Sequence, residues 1–197
     1  PVVTPLAVDA SHPVPFLTSL SLNLAVLLRR KNDGTGVKAA VFPVPTGVSK
    51  RIIALPPEGR THKFVLLEDV LSAYAGIFFR GCEILETVAF RITRDADLEI
   101  NNEAEDLLTE IKKSLKKRRK GAAVRLEVSS HASRTIKHFL KSVLRLHEGD
   151  VYSIPGPLDL KAFFALTGLA GFEELHYPAA VPQPVKDLLP FSGQSIW

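Results

Sequence analysis

From Val88 to Thr93 apolar side chains alternate with smaller or polar ones, the period-two pattern of a strand with one buried face. The period then changes. Ala104, Leu107, Leu108, Ile111 and Leu115 recur at three- and four-residue steps, which predicts an amphipathic helix over 103–120. Asn102 and Glu105 supply a capping box, and Glu103, Glu105 and Asp106 lie in the first turn. Lys116, Lys117, Arg118, Arg119 and Lys120 lie in the last turns, so each sign opposes the dipole pole beside it, and Gly121 ends the helix. Val124, Leu126 and Val128 restart the alternation, with Arg125 and Glu127 on the other face. This unit predicts two parallel strands joined by a right-handed helical crossover.

The rest of the chain follows the same logic. Pro1 to Pro15 is proline-rich and predicts an extended lead-in. Apolar runs at 20–29 and 37–44, separated by Asp33-Gly34-Thr35-Gly36, predict a hairpin, and Arg51 to Leu55 adds a third strand. Pro56 to Gly59 reads as a turn, Lys63 to Leu67 as a short strand, and Glu68 to Phe78 as a helix with an acidic first turn. A second amphipathic helix over 131–146 places Ile136, Phe139, Leu140, Val143 and Leu144 on one face. Val151 to Ile154 is the final strand, and Leu158 to Leu166 a short helix with Leu160, Phe163 and Phe164 inward. Prolines return from Tyr177. Because the best strands carry charge on one face, the pattern predicts an α+β fold, a two-layer sandwich with a mixed sheet and helices on one face. Arg91, Thr93, Arg125 and Glu127 then occupy the face left for solvent or a partner.

Composition narrows the class. At 197 residues, 46% apolar and 23% charged, the chain fits one globular core, and no run is apolar for long enough to cross a bilayer. One cysteine, Cys82, excludes an internal disulfide and a cysteine-based zinc site, which makes a reducing, cytoplasmic setting the default. The chain starts at Pro1 and contains no methionine, the look of a piece of a longer protein.

Candidate chemistry is sparse. Gly34-Thr35-Gly36-Val37-Lys38 lacks the glycine spacing of a phosphate loop and reads as a hairpin turn. The six histidines are scattered without metal-ligand spacing, no serine or cysteine stands in a nucleophile elbow, and neither catalytic nor metal residues are assigned. The basic cluster has two readings. Its cations solvate a helix end and complement the carbonyl pole; alternatively Lys116, Lys117, Arg119 and Lys120 form a polyanion contact, though without the aromatic residues a single-strand binder uses. Arg91 and Arg94, in a strand end crowded with charge, read as a salt-bridged turn or as contacts to phosphate or a neighbouring domain.

Four segments carry a family resemblance. Phe64 to Val70, Phe90 to Glu99, Gly121 to Val128 and Gly156-Pro157-Leu158-Asp159-Leu160 resemble, in order and spacing, the middle or head domain of bacterial polyphosphate kinase. Thr4 to Asp9 and Ser21 to Val26 resemble its opening segment, so the likeness covers essentially the whole chain. The resemblance implies a parent enzyme that uses ATP and Mg to transfer the terminal phosphate reversibly onto polyphosphate through a phosphohistidine. It also implies that the phosphorylated histidine and the phosphate-holding arginines lie in other domains, and that this domain's role is structural, in dimerisation. On this reading residues 1–180 are the head domain and 181–197 a linker toward a catalytic domain. The domain itself binds neither ATP nor Mg; its partners are the other domains of the parent and a second copy, with polyphosphate as a further candidate and nucleic acid excluded. The parent is cytoplasmic or membrane-associated without an integral span. The competing readings are a free-standing polyanion-binding module and a small independent phosphotransferase, the latter disfavoured by the absent phosphate loop and unpaired histidines.

Overall fold

The computed structural model describes residues 6–8, 17–31, 36–59, 61–95 and 121–181. The predicted helix over 103–120, with Lys116, Lys117, Arg119 and Lys120, lies outside them, as do nearly all of the proposed linker 181–197 and most of the Asp33–Gly36 turn. The chain divides into two compact units, Pro1–Phe163 and Phe164–Trp197.

The first unit is built on a mixed sheet. Its strands are β1 (Leu6–Val8), β2 (Leu22–Arg30), β3 (Lys38–Pro43), β6 (Cys82–Arg94), β7 (Ala123–Ser129) and β8 (Val151–Ile154), in the order β1-β3-β2-β6-β7-β8. A separate two-stranded ribbon pairs β4 (Ile52–Glu58) with β5 (Thr61–Leu66). The expected third strand therefore forms, but outside the main sheet, and it runs through Pro56 and Pro57 to turn at Gly59. The ribbon tolerates both prolines where its register shifts between Leu55 and Glu58.

The predicted hairpin of β2 and β3 is present, with Leu24 opposite Phe42 and Val26 opposite Ala40. The predicted parallel crossover is corrected. β6 and β7 are antiparallel, with Phe90 opposite Val128 and Ile92 opposite Leu126. The parallel pair is β7 with β8, joined through α3 (Arg134–Leu144). Both connections are long enough for a crossover, and strand periodicity is the same in either direction, so the pattern could not tell which pair ran parallel.

α3 begins where its cap dictates. Ser133 Oγ accepts the Ile136 N–H at 3.3 Å, and Glu86 of β6 accepts the Ser133 N–H at 2.7 Å, which ties the helix start to the sheet. Arg145, left-handed at φ 57, closes its other end. Ile136 and Leu140 are buried against Val88, Phe90, Ile92, Leu126 and Val128, with Phe139, Val143 and Leu144 at the margin.

The α+β class and mixed sheet are as expected, but helices do not confine themselves to one face. Alternate β2 residues feed two cores: Ala25 and Leu27 join the α3 side, while Leu22, Leu24, Val26 and Leu28 join Ala40, Phe42 and Leu158 on the other. Leu67, Leu71 and Phe79, from α1 (Leu67–Ala73) and the stretch after α2 (Ala75–Phe78), cover that second core, and Phe78 stacks tilted on Phe42 at 5.7 Å. The physical cause is visible in β2, whose run Leu22–Leu28 has no polar face except the buried Asn23. Tyr74 interrupts the single helix expected over 68–78. Cys82 is half-buried at the edge of this second core.

A 3-10 segment follows at Leu160–Gly168 instead of an α-helix. Leu160 and Phe164 are exposed there, and Leu158 is the residue that reaches the core. In the second unit Glu173 accepts the Gly171 N–H, which lowers the carboxyl's pKa, and His176 Nε2 lies 2.7 Å from the Thr167 carbonyl.

Candidate functional site

The polar positions of the first unit converge on the sheet face opposite α3. Register places Arg91 of β6 directly across from Glu127 of β7. Arg91 Nε donates to Glu127 Oε2 at 2.6 Å and Nη1 to Asp159 Oδ1 at 3.1 Å. Arg125 Nη2 donates to the other Glu127 oxygen at 3.1 Å, and its guanidinium lies 4.1 Å from the Tyr152 ring centroid on β8.

Arg51 anchors the far end of this chain of charges. Its Nε donates to both Glu68 oxygens at 3.0 and 3.1 Å, and Nη2 donates to Glu68 Oε1 at 2.6 Å. Nη2 also reaches the Leu158 carbonyl at 2.6 Å, while Nη1 reaches the Asp159 carbonyl at 2.7 Å. The Asp159 carboxylate is 3.5 Å from Nη1, so this one residue faces both Arg51 and Arg91. Asp159 adopts φ 49, a left-handed conformation that a short acidic side chain tolerates better than most. Arg51 and Glu68 side chains are only 4% and 6% exposed. At that burial an ion pair is costly to form unless its remaining donors and lone pairs are also used, which is what the two carbonyls accomplish.

Beside this pair opens a cleft of about 290 Å³, lined among others by Glu68, Asp69, Thr87, Ser129, His131 and Leu158. Ser129 Oγ and His131 Nδ1 are 2.8 Å apart. Partial loss of water on the side of Asp69 that faces the cleft wall raises its carboxyl pKa, although the residue stays largely exposed; the neighbouring Glu68 charge adds to the rise, and Arg51 and His131 offset part of it.

The structure brings Arg91 into the network described above and places Arg94 elsewhere. Arg94 Nε donates to the Leu17 carbonyl at 2.8 Å and Nη1 to the Gly121 carbonyl at 2.8 Å, and burial pushes the guanidinium below its ordinary pKa. It thereby ties the segment before β2 and the approach to β7 onto the end of β6. Gly121 owes its identity to this crowding. A Cβ there would stand 2.1 Å from the Asp95 carbonyl oxygen, so the residue serves a close backbone approach; the helix it is expected to end lies outside the described residues. Arg51, Glu68 and Asp159 were not singled out as a unit by sequence. Glu68 and Asp159 did fall inside two of the segments that carry the family resemblance, which was the available signal.

Among the described residues no three His, Cys, Asp or Glu side chains converge as a metal site, and no helix is long and apolar enough to cross a membrane.

Comparison with known proteins agrees with this architecture. The family described as Polyphosphate kinase middle domain matches residues 1–166. The polyphosphate kinase of Bacillus cereus is 46% identical over 195 residues, covering 95% of this chain and 28% of that protein. That of Halalkalibacterium halodurans is 44% identical over 193 residues, covering 96% and 27%. The crystal structure of polyphosphate kinase from Porphyromonas gingivalis superposes with a TM-score of 0.68 over 93% of this chain and 26% of that one, at 20% identity, a likeness of fold. The chain thus spans about a quarter of the length of these relatives. With the family pattern spanning the whole first unit, the chain belongs to the polyphosphate kinase middle-domain family.

Proposed function

We propose that this chain acts as the head domain of a polyphosphate kinase, a structural and dimerising part of an enzyme that reversibly transfers the terminal phosphate of ATP to polyphosphate. Phosphotransfer through a phosphohistidine, and the binding of ATP and Mg, belong to other domains of the parent. The observation that carries this reading is the match of residues 1–166 to the middle-domain family, within relatives about four times as long. The arrangement of the arginines supports it. Arg51, Arg91 and Arg94 turn their donors onto carboxylates and carbonyls of the same chain, which makes them braces of the scaffold.

The test incubates the chain with γ-labelled ATP and Mg, alongside sedimentation equilibrium. The expected result is a protein that carries no acid-labile, base-stable label and that self-associates. A labelled histidine in this chain would overturn the division of labour, and a strictly monomeric chain would overturn the dimerising role.

A further inference from the structure

The outward face of α3 carries Arg134, Lys137, His138 and Lys141. Their spacing of i, i+3, i+4 and i+7 sets them in one stripe opposite the buried face of Ile136 and Leu140. The helix has no acidic residue, and at the usual rise the stripe runs for about 10 Å. It forms one wall of an open cleft of about 280 Å³, lined on the other side by Glu148 before β8 and Val151 at its start. Glu148 reaches across to bond the Lys141 ammonium, and this contact holds its carboxyl below the ordinary pKa, with His138 adding to the effect.

We propose that this cleft is a binding site for a linear phosphate chain, which lies along the cation stripe and displaces Glu148 from Lys141. The choice of a phosphate chain rests on the polyphosphate kinase reading; the cation stripe itself does not. Three features favour this ligand class. The cations are strung along a line instead of converging on a point, which suits a repeating anion better than a single orthophosphate. Among the described residues no Phe, Tyr or Trp lines the cleft, which leaves His138 as the one ring among its lining residues for a base to stack on. Glu148 already occupies one end as a carboxylate stand-in, which shows that Lys141 is placed to hold an anion there. The stripe lies on the α3 side of the sheet, away from the Arg51 network on the opposite face.

Binding of long-chain polyphosphate, orthophosphate and polyglutamate to the whole chain is measured as a function of salt. Polyphosphate should bind, with orthophosphate and polyglutamate at least about tenfold weaker. The triple variant Arg134→Gln, Lys137→Gln, Lys141→Gln should weaken polyphosphate binding about tenfold or more and flatten its log–log salt slope by roughly 2, since each lost contact removes about 0.7 to 0.9. Glu148→Gln, which leaves every cation in place, should tighten binding about twofold. Loss of the salt slope in a Lys116, Lys117, Arg119 and Lys120 glutamine variant, with the triple variant unchanged, overturns the proposal. So does polyglutamate binding as tightly as polyphosphate, which marks a protein-docking face. Should the triple variant not fold, unchanged affinity in Glu148→Gln overturns it. A labelled histidine in this chain or a strictly monomeric chain would leave these binding results untouched, so the two readings fail separately.

Discussion

Arg51 and Glu68, seventeen residues apart, form a buried bidentate ion pair whose arginine also binds the Leu158 and Asp159 carbonyls more than a hundred residues further on. One guanidinium therefore fastens the start of α1 and the segment after β8 to the same point. Removing only the arginine leaves Glu68 charged in a dry site and two carbonyls without their donor. Arg51→Ala is expected to lose about 3–5 kcal/mol in urea unfolding, as for other broken buried pairs. Arg51→Lys should recover only part of this, because an ammonium cannot reproduce the planar fork. Equal stability of Arg51→Lys and wild type would show that charge alone suffices.

Leu140 is 1% exposed in the core beneath α3, between the helix and the β6–β7 pair. Leu140→Ala should cost about 2–5 kcal/mol, the range for large-to-small core changes. Ser142→Ala, on the exposed part of the same helix, should change stability by less than about 0.5 kcal/mol. Comparable losses for both would place α3 on the sheet differently.

Gly121→Ala tests the close approach to Asp95. With the added carbon at 2.1 Å from a backbone oxygen, no side-chain rotation relieves the clash, and the end of β6 must part from the start of β7. A loss of about 1–3 kcal/mol is expected, in line with other overpacked sites. Hydrogen exchange at the Asp95 amide, which donates to the Ala122 carbonyl at 2.8 Å, should accelerate in the variant. Unaltered exchange there would count against the geometry.

Asp69 gives a pH-dependent test with a definite sign. Its folded pKa is raised above 3.8, so the folded state holds the proton more tightly than the unfolded chain does. Stability from this group is greatest below 3.8 and falls as pH rises through the folded pKa, with the deficit complete near neutrality. Asp69→Asn should therefore melt higher than wild type near neutral pH, by a modest margin because the side chain is exposed, and the gain should vanish below 3.8. A variant less stable than wild type at neutral pH would reverse the sign.

Local pattern by itself determined the β2–β3 hairpin, the strands at β6, β7 and β8, and the apolar face of α3, because each rests on a period of side chains that survives in any tertiary setting. The segments around Glu68 and Asp159 also carried the family likeness, and the match of residues 1–166 agrees with it. Tertiary structure alone decided the direction of β7 against β6, since alternation is identical for parallel and antiparallel neighbours. It likewise decided that α1 and α2 cover the face opposite α3: the continuous apolar run of β2 announced two buried faces but not what would cover the second. The meeting of Arg51, Glu68, Asp159, Arg91 and Glu127 was beyond any local pattern. These residues come from widely separated segments, and only the folding of the chain brings their charges within bonding distance, where burial makes the Arg51–Glu68 pairing in particular costly to break.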